Sequence, residues 1–113
     1  MAETCLFCRI VRGEVPAKLV KETAECVAFR DINPQAPVHV LVIPREHVES
    51  LNTAKDAAMV GRLALLAAEI ARDEGVDDSG YRTVINTQAN AGQTVFHIHL
   101  HLLGGRKMSW PPG

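Results

Sequence analysis

The sequence predicts an α+β domain built on a five-stranded antiparallel sheet, with one long and one short helix. Three observations carry this. Short runs rich in Val, Ile, Leu and Phe recur along the chain, most of them separated by turn-length gaps. One segment, Ala54 to Glu74, switches instead to a 3.6-residue apolar period. No repeat, low-complexity tract or linker divides the chain, so residues 1–113 read as one domain, long enough for a real hydrophobic core.

Each element follows in order. Residues 5–12, with Cys5, Leu6, Phe7, Ile10 and Val11 apolar, predict a short helix ending at Gly13. Lys18–Glu22 and Glu25–Arg30 are close enough, across Thr23 and Ala24, to make a hairpin. "DINPQAP" (31–37) must be a loop, because two prolines and an Asn disfavour any regular continuation. "VHVLVIP" (38–44) is apolar almost throughout and reads as a strand covered on both faces, with His39 its one polar interruption. In the long helix Met59, Leu63, Leu66 and Ile70 form the buried stripe. Thr53 and Asp56 have capping-box spacing at its start, and Gly75 stops it. "YRTVIN" (81–86) is a strand, "TQANAGQ" (87–93) a polar loop, and Phe96–Leu103 the last strand.

The balance of 12 Lys+Arg against 13 Asp+Glu, net −1, gives no basic face for a phosphate backbone, so nucleic acid is not an expected partner. No stretch is long and apolar enough to span a bilayer, and "MAETCLFCRI" lacks the basic and apolar regions of a secretory leader. The expectation is a soluble, cytoplasmic protein without membrane attachment. Three cysteines, two of them in Cys5-x-x-Cys8, do not form a disulfide framework. They read as reduced thiols packing the first helix, or as half of a metal site that two histidines would complete. Cys26, on an apolar strand, reads as core.

The chemistry concentrates in "VFHIHLHLLGG" (95–105), which holds three of the five histidines at alternate positions. Alternation puts His97, His99 and His101 on one face, with Phe96, Ile98, Leu100 and Leu102 packed under the long helix on the other. The outer two Cα atoms would be roughly 13 Å apart, too far for one metal ion without a strong bend. Nucleophilic catalysis fits better. Neutral imidazole has a free lone pair near pH 7, attacks phosphorus or acyl carbon, and leaves again. A neighbouring imidazole can supply a proton and a further polar group can fix the tautomer. A merely solvated face would mix Lys, Glu and Thr, and this one carries only histidine before Leu103.

"HIHLHLL" matches the histidine-triad (HIT) signature, in which three histidines alternate with apolar residues. "CLFCRIVRGEVPAKLV", "AFRDINPQAPVHVLVIPREH" and "YRTVINTQANAGQTVFHIHLHLLGGRKMSWPPG" also resemble the nucleotide-binding branch of that family, over nearly the whole chain. The resemblance implies a HIT-like fold that dimerises, joining two five-stranded sheets into a homodimer of ten strands. It implies hydrolysis of purine nucleoside 5′-phosphoramidates through a nucleotidyl-histidine formed on His99, with no metal or cofactor required. The backbone near His97 would fix the His99 tautomer, and His101 would sit beside the phosphate. Thr94 stands where relatives often have Ser, beside the leaving group, and the departing amine would be protonated through His101 or Thr94.

Asn86 and Gln93 match residues near the phosphate, and Asp31 matches the carboxylate that holds the ribose. Ile32 and Phe29 match the wall of the purine site, and His39 a histidine that orders the triad. Without the resemblance, Asp31 would read as the capping residue of a turn, and His39 as a satisfied core histidine. Trp110 in "SWPPG" would approach the partner subunit's site and influence substrate choice, where otherwise it merely anchors a tail. Some bacterial-type relatives bind structural zinc through residues matching Cys5, Cys8, His47 and His97, which the same chain could do while leaving His99 free. Two other readings remain open: a dinucleoside polyphosphate hydrolase with the same nucleotidyl-histidine chemistry, and a zinc-stabilised module that binds nucleotides or protein partners without turnover.

Overall fold

The computed structural model describes residues 4–113; Met1–Glu3, part of the segment read above for a leader, lie outside the described residues. The elements are α1 (Leu6–Val11), β1 (Leu19–Glu22), β2 (Cys26–Arg30), β3 (Val38–Pro44), α2 (Ala57–Asp73), β4 (Tyr81–Val84) and β5 (Leu100–Gly104). The five strands form one sheet in the order β1-β2-β3-β5-β4, with every neighbouring pair antiparallel. This is the α+β architecture with two helices that the apolar patterns predict. Among the described residues, no helix is long and apolar enough to cross a membrane.

The two-residue period of the strands sorts their side chains onto two faces. Cys26, Ala28, Val40, Val42, Leu100 and Leu102 point to one face and meet the α2 stripe of Met59, Leu63, Leu66 and Ile70. Val27, Phe29, Leu41 and Ile43 point to the other and pack against Phe7 of α1. Both faces of β3 are therefore covered, as its unbroken apolar run requires. His39 shares the α1 face with Leu41 and Ile43, so the helix over that face decides what it meets.

Both helices stop in the same way. After α2, Gly75 takes φ +73°, its N–H donates to Arg72, and the N–H of Val76 donates to Ala71. After α1, Gly13 takes φ +75°, and the N–H groups of Gly13 and Glu14 donate to Ile10 and Arg9. This left-handed turn satisfies the last carbonyls of a helix and favours glycine, which has no Cβ to clash there.

Three boundaries differ by two residues or more from the expected ones. The long helix begins at Ala57, not Ala54, because Asp56 is itself the N-cap and accepts from Ala58 N at 3.0 Å. Thr53 belongs to the preceding turn, where its hydroxyl donates to the Ser50 carbonyl. β4 ends at Val84, two residues short of Asn86. The last strand begins at Leu100, not Phe96, because the β3–β5 ladder runs from Val38–Gly104 to Val42–Leu100 and Pro44 has no N–H to extend it. Phe96, expected under α2, is 46% exposed; only Ile98, Leu100 and Leu102 reach that core.

Candidate active site

Because residues 93–99 run beyond the sheet ladder, other bonds must hold them. Ile98 N donates to the Val48 carbonyl at 2.7 Å, and His97 Nε2 lies 2.8 Å from the Pro44 carbonyl. The segment after β3 thus takes over from the sheet as the support of the histidine strand. His97 is completely buried and His99 nearly so, while His101 is half-buried. The edge of the Phe7 ring meets both inner imidazoles, with centroids 6.0 Å from His97 and 5.1 Å from His99.

The tautomer of each ring follows from its partners, since a carbonyl only accepts and a backbone N–H only donates. His99 Nδ1 lies 2.8 Å from the His97 carbonyl, so Nδ1 carries the hydrogen and Nε2 keeps its lone pair. His39 Nδ1 accepts from Gln35 N at 3.0 Å, which places the His39 hydrogen on Nε2. That Nε2–H donates to His101 Nδ1, 2.9 Å away, which in turn places the His101 hydrogen on Nε2. Asp31 Oδ2 is a longer second neighbour of His39 Nε2, at 3.4 Å. The His99 and His101 rings lie 5.0 Å apart. A lone pair and an N–H donor are therefore fixed side by side.

Burial keeps these rings neutral. It is the largest influence lowering the pKa of His99, His39, His97 and His101, the last two to about 4. Neighbouring imidazoles push His97 and His101 further down, while the Asp31 carboxylate opposes the shift at His39, His99 and His101. One consequence concerns stability. Unfolded, His101 binds its proton near pH 6.5; folded, only near pH 4. Between those values the unfolded chain holds more protons, so stability falls as pH drops from 6.5 towards 4. Urea midpoints of metal-free protein should decrease over that window, and His101→Gln should make the decrease shallower. An equal slope in the two proteins would show that His101 is not buried neutral.

The imidazoles open onto a cleft of about 990 Å³. Asp31, His39, Thr94, His99 and His101, with Lys18 and Arg30, supply its polar wall, and Phe7, Phe29, Ile32 and Leu41 apolar surface. Ile32 is wholly exposed, which leaves its side chain free to cover a flat ring. The structure thus brings together His39, His99, His101, Thr94, Asp31, Ile32 and Phe29. His97 contributes from beneath, through its carbonyl. Asn86 is half-buried just past β4, and Trp110 is 81% exposed on a tail tied down by Arg82 to the Ser109 carbonyl; neither lines the cleft. Gln93 is buried with its amide bonded to main-chain groups. Sequence reasoning missed the shielding by Phe7 and the main-chain partners Gln35, Pro44 and Val48. Phe7 carries only an apolar signal, and main-chain groups carry none.

Behind the triad, Cys5 Sγ, Cys8 Sγ and one nitrogen each from His47 and His97 lie within 4.8 Å of one another. Cys5 caps α1, accepting from Cys8 N, so the helix start itself sets the two thiols on one side. Cys8 Sγ is 3.2 Å from His47 Nδ1 and 3.5 Å from His97 Nδ1, and Cys5 Sγ is also 3.5 Å from His97 Nδ1. His97 donates its other nitrogen to Pro44, so the Nδ1 lone pair faces the thiols, as in a metal-bound histidine oriented by a carbonyl. The residues fit a closed two-thiolate, two-imidazole zinc set. A second close group, Asp31, His39 and His101, does not fit an ion so well. There Gln35 N–H occupies the lone pair of His39 Nδ1, leaving Nε2 protonated.

Fold and cleft together define a class. The HIT domain family model matches residues 12–108, and the chain belongs to the HIT family. More particularly, it is 54% identical over 115 residues to an uncharacterized HIT-like protein of Synechocystis sp., covering 100% of both chains. It is 44% identical over 110 residues to the purine nucleoside phosphoramidase of Escherichia coli, covering 96% of this chain and 92% of that one. Among solved structures, a HIT family hydrolase from Legionella pneumophila superposes with TM-score 0.95 at 48% identity, covering 97% of this chain and 100% of that chain.

Proposed function

We propose that this chain hydrolyses purine nucleoside 5′-phosphoramidates through a nucleotidyl intermediate on His99. The observation that carries the reading is the tautomer pair: His99 lines the cleft with a free Nε2 lone pair, beside a His101 whose Nε2 is a donor. The name of the Escherichia coli relative supports the substrate class.

The substrate lies with its base against Ile32 and Phe29, its ribose hydroxyls on Asp31 and its phosphate over the triad. His99 Nε2 attacks phosphorus as the P–N bond breaks. The departing nitrogen takes a proton from solvent through the exposed Thr94 hydroxyl, because neutral His101 has no second proton to lose cheaply. His101 Nε2–H instead bonds a non-bridging oxygen, stabilising charge that grows in the transition state. Water then attacks phosphorus, the His99–P bond breaks, and the nucleoside monophosphate leaves. The net change is addition of one water across the P–N bond.

Cys5, Cys8, His47 and His97 would hold a structural zinc ion, which when bound cross-links α1, the segment after β3 and the histidine strand. Homodimerisation completes the reading; β4 is an edge strand, with Tyr81 exposed on it and Leu65 exposed on α2. The test is release of AMP from adenosine 5′-phosphoramidate by the purified protein, followed by phosphorus NMR. Steady AMP formation supports the proposal. Nucleotide binding without turnover would favour the binding module, and faster cleavage of a dinucleoside polyphosphate would favour that hydrolase.

A further inference from the structure

We propose that Gln93 is a positioning residue, and not a phosphate contact: its amide fastens the 88–95 loop to the segment after β3, so that Thr94 and His99 address the same phosphorus. The inference rests on the phosphoramidase reading for its kinetics, but its structural half stands alone.

A glutamine side chain has two N–H donors and one carbonyl oxygen. Both donors of Gln93 are taken, one by the Glu49 carbonyl at 2.8 Å and one by the Val95 carbonyl at 3.1 Å. Its Oε1 accepts from Gln88 N at 2.9 Å. None of its donors is left for a phosphate oxygen, and the free lone pair on Oε1 would repel one. The side chain is buried and does not line the cleft, whereas the adjacent Thr94 is exposed and does.

The brace sits where the sheet gives no support. Three carbonyls from the end of β3 onward (Pro44, Val48 and Glu49) receive His97 Nε2, Ile98 N and Gln93 Nε2 in turn. Two of those bonds come from the histidine strand itself; Gln93 is the third, and it extends the hold to the loop. It also closes that loop on itself. Gln93 N donates to the Gln88 carbonyl while Gln88 N donates to Gln93 Oε1, which clamps Gln88 at φ +71°, a left-handed conformation costly for a non-glycine residue. The Val95 bond then curls the chain around Thr94, leaving that residue at the cleft wall.

Gln93→Glu keeps size and the acceptor for Gln88, but sets a carboxylate against two carbonyl oxygens. Misplacement of a reacting group by about 1 Å can cost about 100-fold, so kcat for adenosine 5′-phosphoramidate is expected to fall 10- to 100-fold. KM should stay within about twofold, since no substrate bond is lost. A raised KM with kcat preserved would mean direct contact with substrate, and unchanged kinetics would mean no role; either overturns the proposal. Hydrogen exchange on the wild-type protein gives a second measurement that needs neither variant nor turnover. The Gln93 side-chain N–H protons should exchange slowly, both free and with AMP added. Fast exchange in the free protein overturns the brace, whether or not Gln93→Glu folds. A wild type that exchanges slowly but releases no AMP would refute the phosphoramidase reading and leave the brace standing.

Discussion

His99→Ala is expected to lower kcat/KM for adenosine 5′-phosphoramidate by at least about 10³-fold, the scale on which losing a covalent nucleophile is felt. The expectation follows from what each imidazole can still do once His99 is gone. His97 points Nδ1 at the thiols and Nε2 at Pro44, so neither nitrogen is free to attack. His101 has its Nδ1 lone pair committed to His39 and presents only a donor to the cleft. No other ring can take over. AMP binding should survive, because Asp31, Ile32 and Phe29 are untouched. Wild-type reactions quenched in denaturant at alkaline pH, where a His–P bond survives, should carry one nucleotidyl group on His99 by mass spectrometry, and the variant none. Turnover retained within tenfold by His99→Ala would sink the covalent mechanism while leaving hydrolysis itself intact.

How much of this was legible beforehand differs from element to element. The two-face sorting of "VHVLVIP" and the α2 stripe were readable because burial alone dictates them. The start of β5 was not, since alternation continues smoothly from Phe96 while the hydrogen-bonded ladder begins only at Leu100. Apolar alternation reports which way side chains point; whether a neighbouring strand is there to pair depends on Pro44, far away in sequence in a different element. Asp56 and Thr53 failed for a related reason. Capping-box spacing allows Thr53 as the cap, but its hydroxyl is captured by Ser50, and Asp56 is left to cap α2. At the site, His99 and His101 were legible from residue type and period. The tautomers that give them opposite roles depend on Gln35 N and the His97 carbonyl, and main-chain groups look the same under every side chain. Gln93 shows the other limit: the family resemblance matches it to residues near the phosphate, and its side-chain bonds all go to main-chain groups, of Gln88, Glu49 and Val95.

Removing zinc should be the largest perturbation of stability. Protein purified without chelator is expected to hold about one zinc per chain by elemental analysis, and a strong chelator should lower its melting temperature. A ligand at roughly 1,000 times its Kd contributes about 4 kcal/mol. In a domain of this length that corresponds to a shift on the order of 10–20 °C. The site warrants an effect of that size because its four residues come from three separate places: Cys5 and Cys8 at α1, His47 after β3, and His97 in the histidine strand. Without metal, burial and the neighbouring Cys5 push the Cys8 thiol up, keeping it protonated against the two imidazoles. A bound dication reverses that preference and binds all three places into one unit. His97 links this unit to the reaction, since its carbonyl sets the His99 tautomer. Cys8→Ser should therefore reproduce the loss of melting temperature and of zinc without chelator, with Cys26→Ser sparing the zinc. Should the purified protein carry no zinc, and bind none when it is supplied, the cysteines would be packing residues of α1, and His97 would be oriented by the Pro44 carbonyl, the two thiols and Phe7.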